Sequence, residues 1–361
     1  MAVDVRAEAI FLAGLAGTAE QPRLSLFQQI PRERGAEASP SSLAEELAPP
    51  VEANDLEGAP TSTLLYRPDI NFILTEAPDV ARAEWRSALR WRVRDLLDFP
   101  ADQAVIDAFP VPIQPSGEGP QAFVVAARQD TVRERVTQLS EAGLDARFVD
   151  IPDMAHRNLA WLLPEPAYGT CLVILDERSS LISITKGGEL TFCRQIGLEV
   201  GQELNRVAEE LGVEPEEAQR QRVEDGLAAG GSEPEGGQLG GPTNEELALE
   251  EEGEATAPST ALTDFADRLA LEIQRSLDYY DSRFRQAAIQ KIYLGGEGAR
   301  IQGLEAYLEE ALGIAFEFFH PLDYLQAEAP IADHRGEVGF PVHEGILAIG
   351  AGLRMLDPGT A

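Results

Sequence analysis

The sequence is poor in lysine, cysteine, histidine and long apolar runs, and each shortage removes a class of function from consideration. Of the 29 basic residues only Lys186 and Lys291 are lysines, and 62 acidic residues set the net charge at −33. Neutralising nucleic-acid phosphates requires a positive field, so no nucleic-acid partner is expected, and an anionic membrane surface is repelled for the same reason. A solvated acidic surface suits a salt-rich medium, where repulsion between like charges is screened. Cys171 and Cys193 fall in predicted strands without CxxC spacing, which reads as buried free thiols rather than a redox or metal pair. His156, His320, His334 and His343 show no i, i+4 pairing, and no Ser/His/Asp or Cys/His set can be assembled from spacing. They read as caps or surface residues, so no metal site and no catalytic residue is expected. No apolar run approaches the roughly 18 residues that a bilayer span needs, and "AIFLAGLAG" lacks the basic flank of a signal peptide; a cytoplasmic chain is expected.

What remains is an α/β protein of 361 residues, 44% hydrophobic, long enough for two domains or one bilobed domain. The stretch 32–60 is rich in Pro, Ala and Glu and reads as a long loop insert with at most a helical turn. Residues 223–260 carry ten carboxylates, no base and many glycines, and read as a disordered acidic linker. "EWRSALRWRVRDLLDFP" has helical apolar spacing, followed by strands "AVIDAFPVPIQ" and "QAFVVAARQ", a helix "TVRERVTQLSEAGL" and a strand "DARFVDI". Residues 80–150 therefore read as a small α/β unit. Strands "TCLVILD", "SLISITK" and "ELTFCRQ" form a second-lobe meander within 151–222, with a hairpin turn at Gly187-Gly188. In 261–361, read as the rest of that lobe, Phe265, Leu269, Ile273, Leu277, Tyr280 and Phe284 mark one apolar face of a long helix. Strand "KIYLGG", a helix at 302–312, strand "IAFEFF" and a last helix "HEGILAIGAGLRML" follow.

The glycine cluster in "IYLGGEGARIQGLEAYLEEALG" has the outline of a phosphate-binding turn. Its register fails both tests: Ile301 stands where a dinucleotide fingerprint needs its third glycine, and Leu304-Glu305 stand where a phosphate loop needs Lys and Ser or Thr.

The order of a three-stranded meander followed by alternating helix and strand is the half-repeat of the actin-like ATPase fold, with a fainter copy at the N-terminus in 1–79. In detail, "LRWRVRDLLDFP", "FVVAARQDTVRERVTQLSEAGLDARFVDIPDMAHRNLAWLLPE", "DRLALEIQRSLDYYDSRF" and "YLGGEGARIQGLEAYLEEALG" resemble the PilM family of type IV pilus biogenesis proteins. The similarity is greater to its MshI branch, of the mannose-sensitive haemagglutinin (MSHA) pilus. The resemblance implies a bilobed actin-like (ribonuclease H-like) α/β fold with an inserted subdomain at 80–150. It also implies a cytoplasmic protein that docks the N-terminal tail of a PilN-like inner-membrane protein, with other pilus platform proteins nearby, and so is recruited to the membrane only indirectly. Alternatives that share the fold are an active division-type ATPase or filament protein and a cytoplasmic component of a type II secretion platform. The first is disfavoured because "RMLDPGTA" offers no membrane-targeting amphipathic helix, and the second because a transmembrane helix is missing.

By the same resemblance, two loops of the form Asp-x-Gly-Ser/Thr would clamp nucleotide phosphates and Mg²⁺. The matching segments are Asp4-Val5-Arg6-Ala7 and Asp176-Glu177-Arg178-Ser179, each with arginine in the glycine position. ATP hydrolysis is therefore not expected and no cofactor is required. Arg6 and Arg178 either pair with phosphate themselves or are surface arginines. Gly295, Gly296, Gly298 and Gly303 match the adenosine loop, where glycine serves either ADP or ATP binding or tight packing. Arg82, Arg86, Arg90, Arg92 and Arg94 concentrate positive charge on one helix, either as a partner-binding face or as local ion pairs.

Overall fold

Two large sheets share one strand order. The computed structural model describes residues 1–32, 40–115, 117, 119–177, 180–214, 217, 218, 226, 227, 260–332 and 341–356. The first lobe is built from β1 (Ala2–Val5), β2 (Ala9–Thr18), β3 (Gln21–Pro31), α1 (Pro40–Ala53), β4 (Pro60–Leu64), α3 (Gln129–Glu141) and β8 (Asp145–Asp150), in sheet order β3-β2-β1-β4-β8. The second uses β9 (Thr170–Leu175), β10 (Ser180–Lys186), β11 (Glu189–Ile196), α5 (Val200–Leu211), α6 (Thr260–Phe284), β12 (Lys291–Gly295), α7 (Leu304–Leu312) and β13 (Ala315–Phe318), in order β11-β10-β9-β12-β13. Each sheet thus joins an antiparallel meander to two parallel strands. A short β14 (Gln326–Ala327) extends the first sheet beside β3.

The central strand β9, "TCLVIL", is apolar at nearly every position and is buried along its full length, as a strand covered on both faces must be. The predicted glycine hairpin joins β10 and β11, with φ of 61° at Gly187 and 74° at Gly188. Along α6 all six residues of the predicted apolar face are buried.

Three boundaries differ from the sequence reading. The stretch 32–60 is no loop insert: α1 occupies fourteen of its residues and buries Leu43, Leu47 and Val51, at i, i+4 and i+8, against Val3, Ile10, Leu12 and Leu139. The inserted subdomain is also smaller than 80–150. It consists of β5 (Ile70–Glu76), α2 (Trp85–Val93), β6 (Ala104–Pro110) and β7 (Gln121–Arg128), with sheet order β5-β7-β6. Helix α3 packs on α1 and β8 pairs with β4, so both belong to the first lobe. Finally, the last helix, α8 (Ile346–Leu353), leaves the second lobe and lies against β1, β2, β4 and α4 (Pro152–Ala160) of the first. Gly350 makes that approach possible, because a Cβ there would lie 2.4 Å from the Ala155 carbonyl oxygen, and Asn158 Nδ2 donates to the Gly350 carbonyl at 2.9 Å.

Most of the expected acidic linker, 223–260, lies outside the described residues. Gly226 and Leu227 within it are buried, and Leu227 N donates to the Gln302 carbonyl at 2.8 Å. The second lobe therefore includes these two residues.

In the inserted subdomain, α2 covers one face of the sheet with Leu89 and Val93 against Ile106, Val124 and Ala126. On the other face, Phe72 and Phe123 stack at 5.0 Å and Phe109 joins them at 5.4 Å from Phe123; these rings meet the second-lobe core.

Candidate functional site

The cleft is framed by the turns that follow β1 and β9, which place Asp4 and Asp176 opposite one another. Asp4 is fully buried and accepts from Tyr66 Oη at 2.8 Å and from Arg6 Nε at 2.9 Å. Arg6 then reaches across the cleft, where its Nη1 donates to Asp176 Oδ1 at 2.8 Å. One guanidinium thus ties the two lobes together. Burial opposes the Arg6 charge, but Asp176 and then Asp4 outweigh it and hold its pKa well above the usual arginine value. Burial raises the Asp176 carboxyl above its ordinary range, against the pull of Arg6. Tyr66 is pushed up as well, by burial and then by the Asp4 charge. Arg6 Nη2 and Asp176 Oδ2 are buried without hydrogen-bond partners.

Arg6 is therefore not a surface arginine; its Nε and Nη1 are engaged with the two predicted aspartates. Arg178 and Ser179 lie outside the described residues. The glycine turn comes next to this pair. Gly295 ends β12, and Gly303 precedes α7. At Gly296, with φ of 87°, a Cβ would come within 2.5 Å of the Leu175 carbonyl oxygen; at Gly298 it would lie 2.5 Å from Val200 Cγ2 and 2.7 Å from Leu175 Cβ. The turn is pressed against the last residue of β9, so glycine has a packing reason there.

Beside the Arg6 bridge lies a cavity of about 590 Å³ lined by Arg6, Phe11, Asp176, Glu177, Glu199, Val200, Glu297, His343 and Glu344, among others. Glu297 pairs with Arg300 at 3.2 Å, and Gln29 Nε2 donates to Glu344 at 3.1 Å. A second groove, of about 320 Å³, runs between the turn at 5–8 and the segment 66–70 that leads into the insert, with Asp153, Leu181 and Gln195 on its far side.

The arginines of α2 and its flanks point elsewhere. Arg82 donates to the Ala108 carbonyl at 3.0 Å and stacks over Trp85, Arg86 pairs with Asp107 at 3.1 Å, and Arg90 donates to the Ala101 carbonyl at 3.2 Å. Arg92 donates to the Glu76 carbonyl at 2.6 Å and Arg94 pairs with Asp95 at 3.2 Å. Arg86, Arg92 and Arg94 thus have a carboxylate neighbour while Arg82 and Arg90 reach backbone carbonyls, and none of the five lines the cleft.

Sequence reasoning missed Tyr66, Glu297, His343 and Glu344. Carboxylates are too numerous for spacing to single out two, and nothing local marks Tyr66. Two histidines also differ from their reading as caps or surface residues: His156 and His343 are 1% and 7% exposed. His320 is a cap, its Nδ1 accepting from Leu322 N at 3.1 Å. Among the described residues no group of three or more His, Cys, Asp or Glu is arranged to hold a metal ion, and no helix is long and apolar enough to cross a membrane.

Two sheets of the same order, each offering an aspartate turn to a shared cleft, with the last helix of the second lobe packed on the first, define a protein of actin-like fold. The sequence matches the family described as type IV pilus assembly protein PilM over residues 80–233 and 251–355, and the chain belongs to that family. Among solved structures it is similar to a chain titled PilM-PilN type IV pilus biogenesis complex, at a TM-score of 0.73 and 21% identity, covering 99% of this chain and 98% of that one. It also aligns with the cytoplasmic domain of EpsL, an inner-membrane component of the type II secretion system of Vibrio cholerae, at 0.37 and 17%, covering 76% and 94%. A third alignment, to the ethanolamine utilization protein EutJ of Carboxydothermus hydrogenoformans, gives 0.48 and 11%, covering 98% and 88%. A comparison with curated proteins finds no match.

Proposed function

We propose that this chain is a scaffold of type IV pilus assembly, of the MSHA (MshI) branch, that docks the cytoplasmic tail of a PilN-like inner-membrane protein and does not hydrolyse ATP. It sits in the cytoplasm and is held at the inner membrane by that partner and its platform neighbours. The observation that carries the non-catalytic part is the Arg6 bridge: the two aspartates that would share a hydrated Mg²⁺ share a guanidinium from the same chain. A nucleotide phosphate entering there would meet the lining carboxylates, and Arg6, the arginine that lines the cavity among the described residues, is already committed to Asp4 and Asp176. The residues present do not fit Mg²⁺ and a triphosphate. Titration calorimetry with Mg·ATP is expected to give no heat and no turnover; micromolar binding with hydrolysis overturns the non-catalytic reading.

Family membership, and the PilN named alongside a relative, support tail docking. The groove at 66–70 is the favoured site, because the α2 arginines are occupied locally. With a fluorescent PilN-like tail peptide, Asp69→Arg with Gln195→Arg at the groove rim is expected to abolish binding, while alanine at all five arginines leaves it intact. The reverse pattern moves the interface to α2.

A further inference from the structure

The Arg6 bridge is part of a longer polar chain that begins and ends in the walls of the groove of about 320 Å³. Tyr66 Oη donates to Asp4 Oδ1 at 2.8 Å, Arg6 Nε donates to Asp4 Oδ2 at 2.9 Å, and Arg6 Nη1 donates to Asp176 Oδ1 at 2.8 Å. Tyr66 and Arg6 stand on the first-lobe side of the groove, and Asp176 stands on the second-lobe side with Leu181 and Gln195. The chain therefore runs from one wall to the other, through a carboxylate, Asp4, that is fully buried and lines neither hollow. Arg6 and Asp176 also line the larger cavity, so the same link borders both. Elsewhere the second lobe meets the rest of the molecule in apolar clusters: Leu172 and Ile174 of β9 join Phe11 and Ala13 of β2, and Phe72 and Phe123 of the insert join the second-lobe core. Apolar burial is non-directional, whereas a hydrogen bond between charged groups fixes a distance and a direction. The polar chain thus sets the spacing of the groove walls most directly. A segment that docks between walls already held at one width is spared the cost of ordering them.

We infer that Arg6 is a positioning residue for tail docking: by tying the Asp4 and Asp176 turns together it holds the groove at the width that the tail of the PilN-like protein needs. The inference rests on the docking reading above and adds to it that affinity for the tail is set by the bridge between the lobes. The test titrates the full chain into a fluorescein-labelled synthetic peptide of that N-terminal tail. Arg6→Gln and Asp176→Ala are each expected to weaken binding about tenfold, and the double variant to be no weaker than the weaker single, because both changes break the same link. Arg6→Lys should regain part of the loss, and Tyr66→Phe, which keeps the ring in the groove wall and removes one bond of the chain, should cause a smaller loss. Leu47→Ala, in the remote core beneath α1, lowers stability through a cavity and should leave affinity unchanged, so a loss of stability is not read as a loss of binding. Parental affinity in a folded Arg6→Gln protein overturns the inference and leaves docking standing. Losses that multiply in the double variant also overturn it, since Arg6 and Asp176 would then meet the tail as separate contacts. A parent protein that does not bind the peptide overturns the docking reading and the inference with it.

Discussion

Arg6 holds its place only because two carboxylates from different lobes share it, and each of the three is costly to bury without the others. Removing the cation leaves Asp4 and Asp176 facing one another, so Arg6→Ala is expected to lower stability by about 3–5 kcal/mol in urea unfolding. Arg6→Lys recovers part of this, because one ammonium cannot reproduce the two-armed reach of a guanidinium. The aspartates were legible from the resemblance; their common partner was not. Arg6 and Asp176 are 170 residues apart, and the sequence does not state which way a side chain turns across a cleft. His156 and His343 supply a pH signature. Both are buried and neutral, their pKa values lowered from 6.5 to about 3, by burial and, for His343, also by His320 and Arg300. The unfolded chain takes up these protons near 6.5, so the stability tied to neutral rings is complete above that pH and is lost as pH falls toward 3. Asp150 and Asp153, raised chiefly by burial, act in the opposite direction and favour the folded state as pH falls toward the ordinary carboxylate range. Urea midpoints at pH 7 and 5 should therefore fall less in a His156→Gln, His343→Gln protein than in the parent.

At the scale of elements, local periodicity carried far and adjacency misled. The spacing of α6 and the glycine hairpin needed no tertiary information. Helix α1 was hidden by Pro49 and Pro50, each lacking an N–H donor, although Leu43, Leu47 and Val51 already held helical spacing. β8 follows the insert in sequence yet pairs with β4, a long-range choice that no window of residues contains. Because the insert has its own small core around Leu89, it should yield separately. Leu89→Ala is expected to cost about 2–5 kcal/mol locally and to make 70–128 the first region cut by a protease, with the lobes still folded. Simultaneous loss of all three regions would contradict that independence.

For the whole molecule, a net charge of −33 sets a repulsion that no single pair offsets. Added salt screens it, so the unfolding temperature should climb by several degrees between about 0.01 and 1 M sodium chloride, where the screening length falls tenfold. A flat response would mean that the acidic residues are neutralised locally. Meanwhile α4 and α8 lie back to back at the junction of the lobes, with every residue of both buried. The first lobe is thus finished by residues 346–353, near the far end of the chain. During synthesis, at about 5–20 residues per second, its sheet would leave the ribosome tens of seconds before the helix that covers it, and would need either a chaperone or a slow, reversible collapse to keep Phe11 and Ala13 from foreign contacts.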